Sequence, residues 1–323
     1  MKKVFVTGAA GFIASKVCQL LLDSDIFVVA VDNLNTYYDP ALKNFRVEKL
    51  KKYKNFEFHE IDIEVKADLD SLFDSHQFEA IYNLAARAGV RYSIENPDVY
   101  VRTNVLGNLN LLKLARQHQV KKYILASTSS LYAGKKMPFV ETLDVSEPIS
   151  PYAATKKSAE VMAYTYHHLY GIDVSIVRYF TVYGPLSRPD MAQLRFMLWI
   201  DQEKEIQLYG DGTQSRDFTY VDDIAKGTIL AEKKLGFEII NLGGGNNPIE
   251  VNQMIQTYES LFSKKAKINY LPFNKADMKS TWANIEKAEK LLGWKPQVSF
   301  AQGLENCVKH YQDQADFYKN IKL

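Results

Sequence analysis

The 323-residue chain is predicted to be an α/β protein, with a Rossmann-type doubly wound parallel sheet and a smaller C-terminal α/β region. Three observations predict this fold. Short apolar segments alternate with helical patterns through the first half of the chain, and a glycine-rich turn follows the first of them. The alternation then loosens after residue 181, where Pro185 and Pro189 interrupt it. A hydrophobic fraction of 46% and a charged fraction of 24% suit one large domain and a smaller one.

The predicted strands are short apolar runs, at residues 4–6, 27–32, 56–59, 80–84, 123–126, 174–179 and 238–242. Helical patterns lie between them, for example at residues 104–118, 152–170 and 222–234. We therefore assign residues 1–180 and about 219–246 to the sheet domain, and residues 181–218 and 247–323 to the second region. Ligands of such sheets bind at the carboxyl ends of the strands.

The first turn, TGAAGFIA at residues 7–14, has the pattern of a dinucleotide site. Gly8 permits a tight turn, Gly11 allows the backbone to approach a pyrophosphate, and the helix that follows offers free N–H groups. Asp32 ends the second strand, where it can accept hydrogen bonds from a ribose and repel a 2′-phosphate. No basic residue follows it closely, so the pattern favours NAD over NADP. A purely structural glycine turn with a surface aspartate is the alternative.

Tyr152 and Lys156 lie four residues apart in a helical segment that begins at Pro151. This spacing puts both side chains on one helix face, where an ammonium lowers the pKa of a phenol. The pair predicts a tyrosine base near neutral pH. Tyr132 has the same spacing to Lys136, but Gly134 and Pro138 indicate a loop there. Without the glycine turn, Tyr152 could equally be an ordinary helix residue.

Composition excludes several other classes of protein. The net charge of +2 gives no reason to expect nucleic-acid or membrane-surface binding. The two cysteines and six histidines show neither a disulfide framework nor metal-ligand spacing, so no metal is expected. No apolar run approaches about 18 residues, so no membrane span is expected. We expect a cytoplasmic protein.

Several longer segments carry a resemblance that covers nearly the whole chain. They are TGAAGFI at 7–13, DNL at 32–34, YYDP at 37–40, AGVRYS at 88–93, YAATKK at 152–157, RYFTVYGP at 178–185, RPDM at 188–191 and RDFTYVDD at 216–223. On these segments the chain resembles the extended short-chain dehydrogenase/reductase superfamily, in its nucleotide-sugar epimerase branch. The resemblance implies NAD-dependent epimerisation at C4 of a UDP-sugar, with conversion of UDP-glucuronate to UDP-galacturonate as the expected reaction.

The resemblance also implies residue roles. The expected catalytic residues are Tyr152, Lys156 and Thr128. The expected NAD-binding residues are Gly8, Ala10, Gly11, Phe12, Ile13, Asp32, Asn33, Asp62, Ile63, Leu84, Ala85, Ala86, Asn104, Tyr152, Lys156 and Tyr179. The expected substrate-binding residues are Arg91, Ser93, Ser129, Ser130, Thr181, Arg188, Arg216 and Asp277. One departure is Arg87, which stands where glutamine is common and could alter specificity.

Three alternatives stay open. A UDP-glucose/galactose-type epimerase usually has asparagine at the position of Thr181. A UDP-glucuronate decarboxylase carries a glutamate where this chain has Ser130, and a sugar dehydratase is grouped with it. An NAD-sensing binding protein would not need an intact Tyr152, Lys156 and Thr128. The superfamily also implies a homodimer, in which the helices around residues 104–118 and 152–170 pair with their copies.

Overall fold

The computed structural model describes residues 1–245, 248–273 and 278–322. Its strands, in chain order, are β1 (Lys3–Thr7), β2 (Phe27–Asp32), β3 (Phe56–Glu60), β4 (Ala80–Asn83), β5 (Lys122–Thr128), β6 (Asp173–Tyr179), β7 (Thr181–Tyr183), β8 (Glu205–Tyr209), β9 (Ser215–Arg216), β10 (Phe218–Tyr220), β11 (Phe237–Leu242), β12 (Ile249–Glu250) and β13 (Lys267–Leu271).

Within the described residues, seven strands form one parallel sheet in the order β11-β6-β5-β4-β1-β2-β3. The order reverses between β1 and β4, which are hydrogen-bonded neighbours although they are far apart in sequence. This is the point at which doubly wound sheets bind ligands, because the loops on either side leave in opposite directions. The Rossmann-type α/β prediction is confirmed.

The α-helices are α1 (Phe12–Asp23), α2 (Pro40–Leu50), α3 (Lys66–Ser75), α4 (Val90–Glu95), α5 (Pro97–Tyr100), α6 (Asn108–Gln117), α7 (Pro151–Tyr170), α8 (Ala192–Asp201), α9 (Val221–Leu230), α10 (Val251–Phe262), α11 (Glu286–Leu292), α12 (Phe300–Asp313) and α13 (Ala315–Lys319). A π-helix (Val101–Gly107) precedes α6, and a 3₁₀ helix (Ser129–Tyr132) follows β5.

The structure differs from the predicted helices mainly at their ends. The helix expected from residue 104 begins earlier, as the π-helix, whose wider turn does not give a 3.6-residue pattern. The helix expected at 222–234 is α9 and ends at Leu230. By contrast, α7 begins at Pro151 as predicted, because Ser150 accepts a hydrogen bond from the Ala153 N–H and proline suits the first turn.

Apolar side chains form cores on both faces of the sheet and a separate core in the C-terminal half. One face packs β1, β2 and β4 against α1 and α9, and the other packs the sheet against α3, α6 and α7. The separate core packs α8, α10 and α12 around buried residues such as Met254 and Leu304. Within the described residues, no helix has the length and apolar character needed to cross a membrane.

Candidate active site

A cavity of about 460 Å³ lies at the carboxyl ends of the sheet strands. It is lined by most of the predicted cofactor residues, namely Gly8, Gly11, Phe12, Ile13, Asp32, Asn33, Asp62, Ile63, Leu84, Ala85, Ala86, Tyr152, Lys156 and Tyr179. It is also lined by Thr128, Ser129, Ser130, Thr181, Arg188 and Arg216. The turn, the predicted base and most predicted substrate residues therefore share one cavity.

The glycine turn lies against the loop that follows β4. Gly8 has a φ of 71°, and a Cβ on it would lie 2.7 Å from the Ala85 Cα. The Thr7 hydroxyl accepts the N–H groups of Leu84 and Ala85, each at 3.1 Å. A Cβ on Gly11 would lie 2.8 Å from the Gly8 carbonyl oxygen. Both positions thus require glycine, which leaves the backbone bare on the cavity side.

Asp32 is held by backbone donors at the end of β2. Its carboxylate accepts the N–H of Leu34 at 2.9 Å and the N–H of Ala10 at 3.1 Å. Burial raises the pKa of Asp32, and the positive charge of Lys43 opposes that rise. Since a carboxylate has about four lone-pair positions, acceptor capacity remains for ribose hydroxyls.

A buried lysine near Asp32, Lys43, was not among the predicted site residues. The buried Lys43 ammonium donates to the Asn35 carbonyl at 2.8 Å, and the Arg87 guanidinium donates to the Asn35 side chain at 2.9 Å. Burial lowers the pKa of Lys43 to about 8, although Asp32 raises it. Lys43 lies 11 positions after Asp32, on α2, so only the packing of that helix brings it here.

Tyr152 is the tyrosine of the cavity that lies beside Thr128. Burial raises its pKa, whereas a hydrogen bond with Thr128 and the positive charge of Arg188 lower it. Lys156 lies one turn further along α7, and burial lowers its pKa to about 8 while Glu160 raises it. Arg188 follows β7 and was expected only as a substrate ligand, yet it is Arg188 and not the predicted Lys156 whose charge lowers the pKa of Tyr152 in this structure.

Tyr132 has a different environment from Tyr152. It is fully buried, accepts a hydrogen bond from Arg178 at 2.8 Å and donates one to Asn241 at 2.8 Å. Arg178 also binds Glu160 through two hydrogen bonds of 2.9 and 2.7 Å. This network lies behind the cavity wall, and Tyr132 is not among the residues found to line the cavity.

Hydroxyl groups cluster where β5 ends. The Thr128 hydroxyl donates to the Ser130 hydroxyl at 3.1 Å and accepts the Ser130 N–H at 3.1 Å. Arg188 is bound to the Asp190 carboxylate through hydrogen bonds of 2.9 and 2.6 Å. The cavity wall thus offers neutral hydroxyl donors next to an arginine whose orientation is fixed by an acid.

Other predicted residues lie away from the cavity wall. Ser93 is fully buried and donates to the Val90 carbonyl at 2.6 Å. The Asn104 side chain accepts the Arg87 N–H at 2.9 Å and donates to the Thr155 hydroxyl at 3.1 Å. It therefore supports the wall from behind.

Ala10 and Arg91 are likewise absent from the described cavity wall. Ala10 contributes its N–H to Asp32, as described above, rather than a surface to the cavity. The Arg91 guanidinium lies 4.4 Å from the centre of the Tyr209 ring, which joins α4 to β8. Asp277 lies outside the described residues.

Comparison with known proteins agrees with this geometry. The family model described as GDP-mannose 4,6 dehydratase matches residues 5–307. The UDP-glucuronate 4-epimerase of Thermodesulfobacterium geofontis (strain OPF15) is 56% identical over 318 residues, which cover 98% of each chain. The probable UDP-glucuronate 4-epimerase of Rhizobium meliloti (strain 1021) is 39% identical over 330 residues, covering 96% of each chain.

Solved structures of epimerases also match nearly the whole chain. The UDP-glucuronic acid 4-epimerase from Bacillus cereus, in complex with UDP-glucuronic acid and NAD, matches with a TM-score of 0.90 and 38% identity, covering 96% of this chain and 99% of that one. The UDP-glucose 4-epimerase from Thermotoga maritima, with UDP-glucose, matches with a TM-score of 0.89 and 32% identity, covering 97% and 99%. The chain therefore belongs to the GDP-mannose 4,6 dehydratase family, within the extended short-chain dehydrogenases/reductases.

Proposed function

We propose that this protein is an NAD-dependent epimerase that inverts C4 of UDP-glucuronate to form UDP-galacturonate. The observation that carries the proposal is the shared cavity, in which Tyr152, Thr128, Thr181 and Arg188 lie together with the glycine turn. Relatives and solved structures named for this reaction cover almost the entire chain.

The residues of the cavity fit a dinucleotide. Gly8 and Gly11 leave bare backbone where a Cβ would meet the chain, and the N-terminus of α1 follows directly. Asp32 keeps acceptor capacity for a ribose, and Asp62 is fixed by the Asn33 amide at 2.7 Å. When bound, NAD supplies a hydride acceptor next to C4 and then the donor for the return step.

The chain itself supplies the proton chemistry. The Tyr152 oxygen takes the proton of the sugar 4-hydroxyl as C4 becomes a ketone, and it returns a proton when C4 becomes an alcohol again. Thr128 and Arg188 lower the pKa of Tyr152, which opposes the effect of its burial. Lys156, one turn further along α7, is proposed to donate to a ribose hydroxyl of the cofactor.

A uronate requires one further control. A 4-keto uronate is a β-keto acid, and it loses carbon dioxide when the bond from C5 to the carboxyl group aligns with the carbonyl π system. Ser129, Ser130 and Thr181 offer hydroxyl donors that can hold the carboxylate out of that alignment. Arg188 offers a charged donor in the same wall. A neutral residue at position 130 removes the glutamate expected of a decarboxylase.

Arg216 is proposed to bind the diphosphate, because its planar guanidinium donates several hydrogen bonds at once. It lies in the wall that residues 181–218 add to the sheet domain. A UDP group anchored there lets the 4-keto sugar turn about its diphosphate link, so that both faces of C4 reach the same base. We propose that Asp277 binds the uridine ribose.

The reaction assay tests this directly. Purified protein is incubated with UDP-glucuronate without added NADH, and products are identified by proton NMR of the anomeric region. UDP-galacturonate is the expected main product, with little UDP-pentose. UDP-xylose or a 4-keto pentose as main product would replace the proposal with a decarboxylase. Conversion of UDP-glucose but not of UDP-glucuronate would replace it with a neutral-sugar epimerase.

We also propose a homodimer in the cytoplasm. On α7, Val161, Tyr164 and Leu169 are 52%, 51% and 59% exposed, and the neighbouring π-helix exposes Val101 and Leu106. Such an apolar surface on two packed helices suits a twofold four-helix interface. Light scattering should give twice the chain mass of 36.9 kDa at micromolar concentration. A Val161→Arg variant should shift the mass toward the monomer, and a monomeric wild type would refute the dimer.

A further inference from the structure

The structure contains a second cavity, of about 640 Å³, next to the one described above. Phe12, the first residue of α1, lies in the walls of both cavities. The second cavity is bounded by α1, the end of α2, the loop at Leu186 and the start of α9. Its volume lies in the range of small-molecule sites.

Positive charge dominates the wall of this cavity. Lys16, Arg46, Lys49 and Lys52 line it, whereas Asp222 is the acid that the described lining includes. Four cations and one carboxylate give a net charge of +3. Asp222 lies 3.3 Å from Lys16, which leaves the charges of the other three cations facing the cavity without a carboxylate from its wall.

The positive charge of these cations lowers the pKa of neighbouring basic side chains. Burial lowers the pKa of Lys49, and the charges of Lys16 and Lys52 lower it further. His310, on α12, also lines the cavity, and its pKa falls to about 4 through burial, Lys49 and Lys16, against an opposing effect of Asp313. His310 is therefore neutral near pH 7 and adds a polar but uncharged group.

Arg46 is the most buried of the cations, with 2% of its surface exposed. Its guanidinium donates to the Ala10 carbonyl at 2.7 Å, to the Tyr38 hydroxyl at 2.8 Å and to the Leu186 carbonyl at 2.6 Å. These acceptors are neutral oxygens, and the buried Nε of Arg46 has no hydrogen-bond partner in the described part of the chain. The charge of Arg46 also lowers the pKa of Asp32, so the anion that this guanidinium faces belongs to the first cavity.

We propose that this cavity binds a small phosphorylated molecule, whose phosphate chain lies against Lys49 and Lys52. Phosphate suits the site because it carries the charge to offset these cations and its oxygens accept hydrogen bonds from ammonium groups. Tyr53 and Tyr220 add aromatic wall to the cavity, which suits a base or sugar attached to the phosphates.

Titration calorimetry with inorganic tripolyphosphate at low salt tests the site. The cavity variant carries Lys49→Ala and Lys52→Ala, and the control variant carries Lys51→Ala and Lys54→Ala. Lys51 and Lys54 are exposed neighbours outside the described lining. Each variant replaces two lysines, so both change the net charge equally. We expect the cavity variant to weaken one class of sites at least about tenfold, and the control to weaken it less than about twofold.

The proposal would be overturned if tripolyphosphate binding were weakened equally in both variants. It would also be overturned if the wild type and both variants bound tripolyphosphate with the same affinity. None of the substituted lysines lines the first cavity, so the result does not depend on the proposed epimerase activity. A parallel titration with ATP separates the ligand sources. Similar affinity for ATP and tripolyphosphate assigns the site to phosphate alone, and tighter ATP binding assigns it to a nucleotide. Matching melting temperatures check that the variants are folded.

Discussion

Glu160 lies one helical turn after Lys156 on α7, and its carboxylate raises the pKa that burial lowers to about 8. Glu160 is itself held by Arg178 and by the Ser127 hydroxyl, at 2.7 and 2.6 Å. The charge on Lys156 is thus controlled by an acid whose position is fixed from β5 and β6. The charge state of this lysine near neutral pH depends on that arrangement.

The first prediction concerns pH. Lys156 loses its proton as the pH rises through about 8, so turnover should fall above that pH by roughly tenfold per unit. Stability should change in the opposite direction. Because the pKa of Lys156 in the folded state lies below the ordinary lysine value of 10.5, the unfolded chain binds more protons between these two pH values, and the Lys156 contribution to stability rises there. Rate profiles and thermal melts from pH 7 to 10 check both signs.

A Glu160→Gln variant extends this prediction. Glutamine keeps one acceptor oxygen for Ser127 and Arg178, but its NH2 group cannot accept the second hydrogen bond of Arg178, so the variant loses stability as well as the charge that raises the pKa of Lys156. The alkaline fall in turnover should therefore begin at a lower pH. An unchanged profile in a folded variant would show that Lys156 does not limit the rate.

The second prediction separates two tyrosines. Tyr152→Phe should lower turnover by about two to four orders of magnitude, the usual effect of losing a general acid/base. Tyr132→Phe should retain turnover but lose stability, by about 1–3 kcal/mol, because the buried groups of Arg178 and Asn241 lose their partner. Kinetics and denaturant melts of both variants make the comparison. Inactivation by the Tyr132 change alone would reverse the assignment.

The third prediction compares two glycines that have nearly the same backbone φ angle. Gly8 and Gly134 have φ values of 71° and 79°, so alanine is strained at both, by about 1 kcal/mol. At Gly8 the added Cβ also meets the Ala85 backbone, whereas Gly134 has open space around it. Gly8→Ala should weaken NAD binding at least about tenfold, and Gly134→Ala should leave it unchanged. Nucleotide released on denaturation measures this, and equal retention by both would contradict it.

The fourth prediction concerns product ratio. Thr181→Ala removes a hydroxyl donor from the cavity wall, which should loosen the substrate carboxylate during the keto stage. Epimerisation should fall severalfold, and the share of decarboxylated UDP-pentose should rise. Proton NMR of the products measures the ratio, and the NAD content of the purified variant should match the wild type. A lower rate without any pentose would mean that Thr181 does not hold the carboxylate.

The sequence predicted the sheet and much of the cavity because both follow local patterns. The strand predictions agree with the structure to within about one residue at most ends, and the glycine turn and Asp32 lie at fixed positions along β1 and β2. The charge of Lys43 near Asp32 and the effect of Arg188 on the pKa of Tyr152 could not be predicted from local sequence. Each of these two cations is brought to the site by tertiary packing, and no periodicity relates it to the residue that it affects.

Arg188 gives this packing a chemical consequence. It lies beyond β7, outside the seven-stranded sheet, yet its charge lowers the pKa of Tyr152 on α7. The fraction of Tyr152 that is ionised is therefore a property of the assembled molecule, because it depends on a charge that the segment after β7 brings to α7. Loss of the Arg188 charge should raise the pKa of Tyr152 and leave less phenolate at neutral pH, even with Lys156 in place.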